Sequence, residues 1–237
     1  MKLSIVIPIF NEMKTLAEIV RQVQAVPYPV DHEIIIIDDG STDGTYAKAA
    51  EVRAEYLRAG KEVQLFRNEF NRGKSFSIRK GIRYAQGDFL IIQDGDMEYD
   101  PTDIPALLEP LLNGRTDVVC GSRFLKTRHP EAMTILSRLA NKTLTELTNF
   151  LYGLQLTDME GGYKVFRTSL LKELDLHSER FEFEPEVIAL LAKRGVHFLE
   201  LPIGYHARTV KEGKKINGMD FVEAVWTLIK HRFGSRP

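Results

Sequence analysis

The segment Ile34-Ile35-Ile36-Ile37-Asp38-Asp39-Gly40-Ser41-Thr42-Asp43 decides the fold class. Four consecutive β-branched residues show no polar face, so the strand they form is buried on both sides, and a turn rich in Gly and Asp stops it. A second segment has the same form: Phe89-Leu90-Ile91-Ile92-Gln93 runs into Asp94-Gly95-Asp96-Met97-Glu98. Acidic groups at the ends of such strands converge on the crevice where open α/β sheets hold ligands. Clustered carboxylates repel one another and need a cation or donor groups to offset them. A divalent metal that holds a phosphorylated ligand meets that need.

Working outward, strands are predicted at 3–9, 33–38, 63–67, 88–93 and 117–121, and helices at 14–25, 43–59, 74–85 and 102–113. The alternation predicts a mostly parallel sheet with helices on both faces. Thr42 is placed to cap the helix after the first acidic turn, and Pro101 to open another. The second half changes character. An amphipathic helix is predicted over 130–153, a short strand at 163–166, a helix at 184–194 and a strand at 196–203. A basic, glycine-containing loop runs from Arg208 to Gly218, and a helix from Asp220 to Phe233 closes the chain. No linker or repeat divides it, so residues 1–237 read as one α/β domain, with a nucleotide-binding half at 1–123 and an acceptor half at 124–237.

The formal net charge of −1 provides no global field to recruit nucleic acid. The single cysteine, Cys120, sits in the apolar run Asp117-Val118-Val119-Cys120 and reads as core packing; a reducing cytoplasm fits. The opening Met1-Lys2-Leu3-Ser4-Ile5-Val6-Ile7-Pro8 does not read as a signal peptide, because Pro8 breaks its apolar run. No stretch approaches the roughly 18 apolar residues of a membrane span, so any membrane contact is expected to be peripheral. Histidines 32, 129, 177, 197, 206 and 231 show no ligand spacing.

The chemistry centres on Asp94-Gly95-Asp96 with Glu98, whose oxygen ligands suit Mg²⁺ or Mn²⁺. Alternation along an extended segment would put Asp94, Asp96 and Glu98 on one side. A bare Asp-x-Asp is common and by itself reads as a solvated acidic turn; its place after a buried strand and its partner acidic turn favour function. Asp38-Asp39-Gly40-Ser41 suits base and ribose hydroxyls, or a helix cap. Phe10 is placed to stack on a base, and Glu12 to accept from a sugar or base. Arg72-Gly73-Lys74-Ser75 lacks the earlier glycine of a phosphate-binding P-loop, since Asn68 stands there. A phosphatase-type nucleophile turn at Asp94 is disfavoured by Met97 and by the motif's late position.

Several motifs in order resemble the family 2 glycosyltransferases of GT-A fold. They are Ser4-Ile5-Val6-Ile7-Pro8 with Asn11-Glu12, Ile37-Asp38-Asp39-Gly40-Ser41-Thr42-Asp43, and Gly87-Asp88 leading to Asp94-Gly95-Asp96. Val119-Cys120-Gly121-Ser122-Arg123, Thr157-Asp158-Met159, Phe183-Glu184-Pro185-Glu186, and Tyr205-His206-Ala207-Arg208 through Glu212-Gly213-Lys214-Lys215 narrow the likeness to enzymes that glycosylate dolichyl or other polyprenyl phosphates. The resemblance implies that Pro8, Phe10, Glu12, Ile37 and Asp39 line the nucleotide. It implies that Asp94 and Gly95 meet the nucleotide-sugar and that Asp96 with Glu98 holds the metal. Arg123 would meet phosphates, Arg208 and Lys214 would come from a loop closing over the donor, and Arg138 would help the acceptor phosphate. Asp96, Arg123, Arg208 and Lys214 are the residues it makes catalytic. Departures exist. Many relatives have Tyr at the place of Phe10 and Gln at the place of Glu98, and many carry C-terminal membrane helices for which this sequence has no apolar run. The Gln-x-x-Arg-Trp pattern of processive synthases is absent.

An alcohol acceptor needs a general base, for which Glu182, Glu184 and Asp158 are candidates; a phosphate monoester, with its second pKa near ~6, arrives ionised and needs cations instead. The expectation is therefore inverting, metal-dependent transfer of a hexose, mannose or glucose, from a nucleoside diphosphate to a polyprenyl phosphate. The rivals are a soluble or glycan hydroxyl acceptor, and a non-catalytic nucleotide-sugar-binding subunit. The final helix, with Phe221, Val225, Leu228, Ile229 and Phe233 near one face, reads as docked on the sheet or as lying at a membrane interface.

Overall fold

A strand with no polar face needs two cores, and the computed structural model, which describes residues 1–126, 133–206 and 218–234, provides them. In β2 (Asp31–Asp38), Ile34 and Ile36 enter one apolar cluster while Ile35 and Ile37 enter another on the opposite face. The same division holds in β4 (Phe89–Ile92), where Phe89 and Ile91 face one way and Leu90 and Ile92 the other. This is the period of two of a strand covered on both sides.

Among the described residues seven strands form one sheet. The others are β1 (Lys2–Ile9), β3 (Val63–Arg67), β5 (Val118–Ser122), β6 (Lys164–Arg167) and β7 (Phe198–Pro202), in the order β3-β2-β1-β4-β6-β5-β7. Only β6 runs antiparallel to its neighbours, β4 and β5. One face carries α1 (Leu16–Ala25), α2 (Thr45–Arg58) and α4 (Ile104–Leu112). The other carries α3 (Lys74–Tyr84), α6 (Ile135–Tyr152), α7 (Thr168–Lys172), α8 (Phe183–Lys193) and α9 (Gly218–Phe233). A one-turn helix, α5 (Arg123–Lys126), follows β5. The chain leaves β1 toward β2 on one side and returns to β4 on the other. The sheet's switch point therefore lies at the carboxyl ends of β1 and β4.

Local chemistry shifts several boundaries. α2 starts at Thr45, not 43, because Gly44 sits at φ 94° and Asp43 Oδ1 takes the Thr45 N–H at 3.0 Å; Thr42 does not cap it. Pro101 opens a 3₁₀ turn, Pro101–Asp103, capped by Asp100 Oδ1 on Thr102 N at 2.9 Å, before α4 begins. Thr134 caps α6, accepting from Ser137 N at 3.1 Å. The short helices α5 and α7 have no counterpart in the sequence reading. Cys120 is fully buried in the core and burial pushes its thiol up to about 12. Among the described residues no helix is long and apolar enough to cross a membrane.

Candidate active site

The first wall of the crevice joins the ends of β1 and β2. Asn11, at φ 55°, donates its N–H to Ser41 Oγ at 3.0 Å, and its own Oδ1 accepts from Thr42 N at 2.9 Å. Glu12 N donates to Thr45 Oγ1 at 3.0 Å. Pro8 and Ile37 are register partners, both buried, and the Ile37 side chain points into the core. Phe10 and Glu12 are half-buried. Asp39 gathers the loop before α3: Oδ1 accepts from Asn68 Nδ2 at 2.8 Å and Arg72 N at 3.0 Å, and Oδ2 from Gly73 N at 2.8 Å. Gly40 is required where this loop crosses, since it sits at φ 73° and a Cβ would lie 2.6 Å from the Phe70 carbonyl carbon. Asp38 is buried, with Oδ2 paired to Arg67 Nε at 3.2 Å and Oδ1 without a hydrogen bond among the described residues.

The second wall is the acidic turn after β4. Asp94 Oδ1 meets Lys74 Nζ at 2.6 Å. Burial works against the charge on Lys74, but Asp94, Glu184 and Asp96 outweigh it and hold the ammonium above its ordinary value. The Gly95 carbonyl accepts from Thr15 Oγ1 at 2.7 Å. The segment is not extended as its alternation suggested. Met97 adopts φ 63°, and Asp96 Oδ1 turns back to accept from Glu98 N at 3.1 Å. The Glu98 carboxylate is thereby aimed at Tyr205, whose Oη donates to Oε2 at 2.9 Å, while His206 N donates to the Glu98 carbonyl at 2.9 Å.

Tyr205, three residues past the end of β7, joins this turn to a buried arginine. Its ring lies 5.0 Å from the Arg123 guanidinium and 5.3 Å from Tyr99, which stacks on Tyr163 at 4.7 Å. Arg123 is buried and forked onto Asp158, with Nε on Oδ2 and Nη2 on Oδ1, both at 2.7 Å. Asn141 of α6 closes the group, giving its amide to Asp158 Oδ1 at 3.1 Å and accepting from Arg123 Nη2 at 3.2 Å. Burial acts to raise the Asp158 carboxyl, and Arg123 outweighs it and holds it below the usual range. Arg138 lies in the first turn of α6, one turn before Asn141, and is half-buried. Arg208 and Lys214 lie outside the described residues.

Pro8, Phe10, Glu12, Ile37, Asp39, Asp94, Gly95, Asp96 and Glu98 thus all stand at the carboxyl ends of β1, β2 and β4, with the Ile37 side chain turned into the core, and Tyr205 links Glu98 to Arg123. Sequence reasoning named Tyr205 and Asn68 without giving either a role, and read Lys74 only as part of an incomplete P-loop. The Gly73-Lys74 pair at a helix start was the one available signal for Lys74. Among the described residues no three acidic, His or Cys side chains form a ready metal cage. The carboxylates of Asp96 and Glu98 still fit a hard dication of the kind that takes one or two carboxylates and completes its shell with phosphate and water.

Residues 4–175 match the profile of glycosyl transferase family 2, and the chain belongs to that family. It is 31% identical over 210 residues to dodecaprenyl-phosphate galacturonate synthase of Rhizobium johnstonii, covering 88% of this chain and 60% of that protein. It is 26% identical over 235 residues to dolichol-phosphate mannosyltransferase of Pyrococcus furiosus, covering 97% and 64%. The chain therefore spans less than two thirds of these relatives' length. A solved structure of glucosyl-3-phosphoglycerate synthase from Mycobacterium tuberculosis, in complex with Mg²⁺ and uridine diphosphate, has a TM-score of 0.70 over 98% of this chain and 79% of that one, at 21% identity. That likeness is one of fold, the GT-A arrangement of a mostly parallel sheet.

Proposed function

We propose that the protein transfers a hexose, mannose or glucose, from a nucleoside diphosphate to a polyprenyl phosphate, with inversion at the anomeric carbon. The observation that carries the reading is the pairing, across Tyr205, of an acidic turn at the sheet's switch point with a buried arginine fixed by Asp158. The relatives named for polyprenyl-phosphate products support the acceptor class. In this reading Phe10, Glu12 and Asp39 flank the nucleotide and Asp94 orients the sugar. Asp96 and Glu98 would hold Mg²⁺ or Mn²⁺, which supplies positive charge to the departing diphosphate.

The acceptor is already an oxyanion, so no group need remove a proton from it. What it needs is a fixed cation, and Asp158 holds the Arg123 guanidinium in a single orientation. Asp158 is unsuited to act as a base, because its carboxyl is bound on both oxygens and held below its usual range. Glu182 is likewise engaged, its Oε2 accepting from Arg180 N at 2.8 Å. Arg208, Lys214 and Arg138 complete the cationic set in this proposal. The test is labelled donor with and without polyprenyl phosphate, in the presence of Mn²⁺. Label is expected to pass into organic solvent only with the lipid, and Asp96→Ala to abolish this with the fold intact. Transfer to water-soluble glycans instead, or full turnover in Asp96→Ala, overturns the reading.

A lipid acceptor also calls for a surface that meets the membrane from one side. α9 docks through Ala224 and Leu228 yet leaves Met219, Val222, Trp226, Ile229 and Phe233 exposed as a second stripe, with Lys230 and Arg232 beside it. The docked side of the helix packs on α6 and α8 rather than directly on the sheet, and the exposed stripe is what supports the membrane expectation. We take the stripe as a peripheral contact with the cytoplasmic membrane face. Trp226 is the sole tryptophan and is 64% exposed, so its emission reports the contact directly. A blue shift with anionic vesicles is expected, and unchanged emission refutes the contact.

A further inference from the structure

The turn between α6 and β6 is held at almost every residue. Thr157 N and Asp158 N donate to the Glu200 carboxylate at 2.8 and 3.1 Å. Met159 N donates to Thr145 Oγ1 at 3.1 Å, and Lys164 Nζ grips the Met159 and Gly161 carbonyls. Gly162 N donates to Tyr99 Oη at 2.9 Å, and the Asp158 carboxylate holds Arg123. Only the Glu160 side chain takes no part: its Oε1 is buried and makes no hydrogen bond among the described residues. The turn also abuts the donor side, since a Cβ on Gly162 would lie 3.2 Å from Asp94 Oδ2.

The charges that face Glu160 are Glu184 from α8, Lys164 from β6, Arg123 from the start of α5 and Asp158 from its own turn. Lys164 is bonded to carbonyls and Arg123 is forked onto Asp158; both still favour a charged Glu160, but burial and Glu184 outweigh them. Farther out, Lys74 is paired with Asp94 and faces Glu184 as well. An ionised carboxyl with a buried, unmatched oxygen beside a second carboxylate is unfavourable. A neutral one has an O–H to give.

We propose that Glu160 belongs to the acceptor subsite and works there as a neutral carboxylic acid, donating a hydrogen bond to an oxygen of the acceptor's phosphate. This rests on the polyprenyl-phosphate reading above. It explains how a site crowded with carboxylates admits an anion: the acid nearest the acceptor gives up its charge. Burial first, and Glu184 second, push the Glu160 carboxyl up to about 7. The group is therefore mostly neutral at pH 6 and mostly a repelling carboxylate at pH 8.

The test compares kcat/KM for a polyprenyl phosphate in the wild type and in Glu160→Gln, whose amide donates without titrating, between pH 6 and pH 8. Ionisation of the acceptor affects both proteins equally and cancels in the ratio. The Glu160→Gln to wild-type ratio is expected to rise about tenfold across that range, with donor KM unaffected. Glu160→Ala, the second variant should the amide disturb the turn, is expected to raise acceptor KM at pH 6. A flat ratio overturns the proposal. So does a Glu160→Gln protein that loses kcat at every pH with acceptor KM unchanged, the signature of a proton-accepting base and hence of a hydroxyl acceptor. If the wild type transfers nothing to polyprenyl phosphate at any pH, the functional reading fails and this inference with it; if it transfers and the ratio stays flat, only the inference falls.

Discussion

Replacing Asp158 with Asn probes the joint between the two halves of the site. The residue is 1% exposed, and its side-chain oxygens accept from Arg123 N, Nε and Nη2 and from Asn141 Nδ2 at 2.7–3.1 Å. At 2.7 Å and an effective dielectric constant of about 20, opposite unit charges attract by about 6 kcal/mol. Desolvation of both ions offsets part of that. Removing one partner, however, leaves the other buried and uncompensated, which costs about 3–5 kcal/mol. For a domain of this length each kcal/mol lowers Tm by about 2–4 °C, so Asp158→Asn should melt roughly 6–20 °C below wild type at pH 7. The folded carboxyl is held below its ordinary value, so its contribution is present above the unfolded carboxylate range and is lost as pH falls through the folded value. The gap between variant and wild type should accordingly close in acid. Calorimetry from pH 7 to pH 3 measures both. The double change Arg123→Met with Asp158→Leu should cost less stability than Asp158→Asn alone, because no buried charge is stranded, while transfer is lost. A Tm drop under about 2 °C at pH 7 would show that Arg123 finds water or another partner, and would refute the claim that Asp158 fixes it.

Lys74→Met removes the cation between Asp94, Glu184 and Asp96. Donor KM should rise about 10- to 100-fold, the equivalent of one charge-assisted hydrogen bond, and Lys74→Arg should restore part of it; initial rates with donor unsaturated decide, and an unchanged KM would reduce Lys74 to a helix-opening residue. Glu186 is buried, and burial disfavours its charge, but His231, the Ser178 and His177 N–H groups and their neighbours outweigh this and lower its carboxyl to about 2. Its stabilisation is therefore full above the ordinary value of 4.5 and is lost as pH falls toward 2. Glu186→Gln should lower Tm at pH 7, and the deficit should shrink progressively below pH 4.5; a deficit independent of pH would mean shape, not charge, holds this turn.

Period and burial made the central strands readable, because Ile34 to Ile37 and Phe89 to Ile92 each feed two cores and so carry no polar position. The same arithmetic could not describe the turns that follow them. Nothing in Asp96-Met97-Glu98 announces a positive φ, since no glycine stands there; the bend arises because an Asp side chain can close on a backbone N–H two residues ahead. The cationic half of the site was legible only as a family likeness. Arg123 and Asp158 are 35 residues apart, and no spacing rule pairs them. Lys164, in a strand, reads as a solvent-facing residue, yet it is buried and serves two carbonyls of the turn it follows. Glu160 and Glu182 look equivalent in sequence, each an acid in a loop beside other acids. The fold separates them: Glu182 accepts the Arg180 N–H and is engaged, whereas Glu160 is left with a buried oxygen and no donor. Where a carboxyl's protonation depends on which distant segments surround it, local pattern carries no information about it.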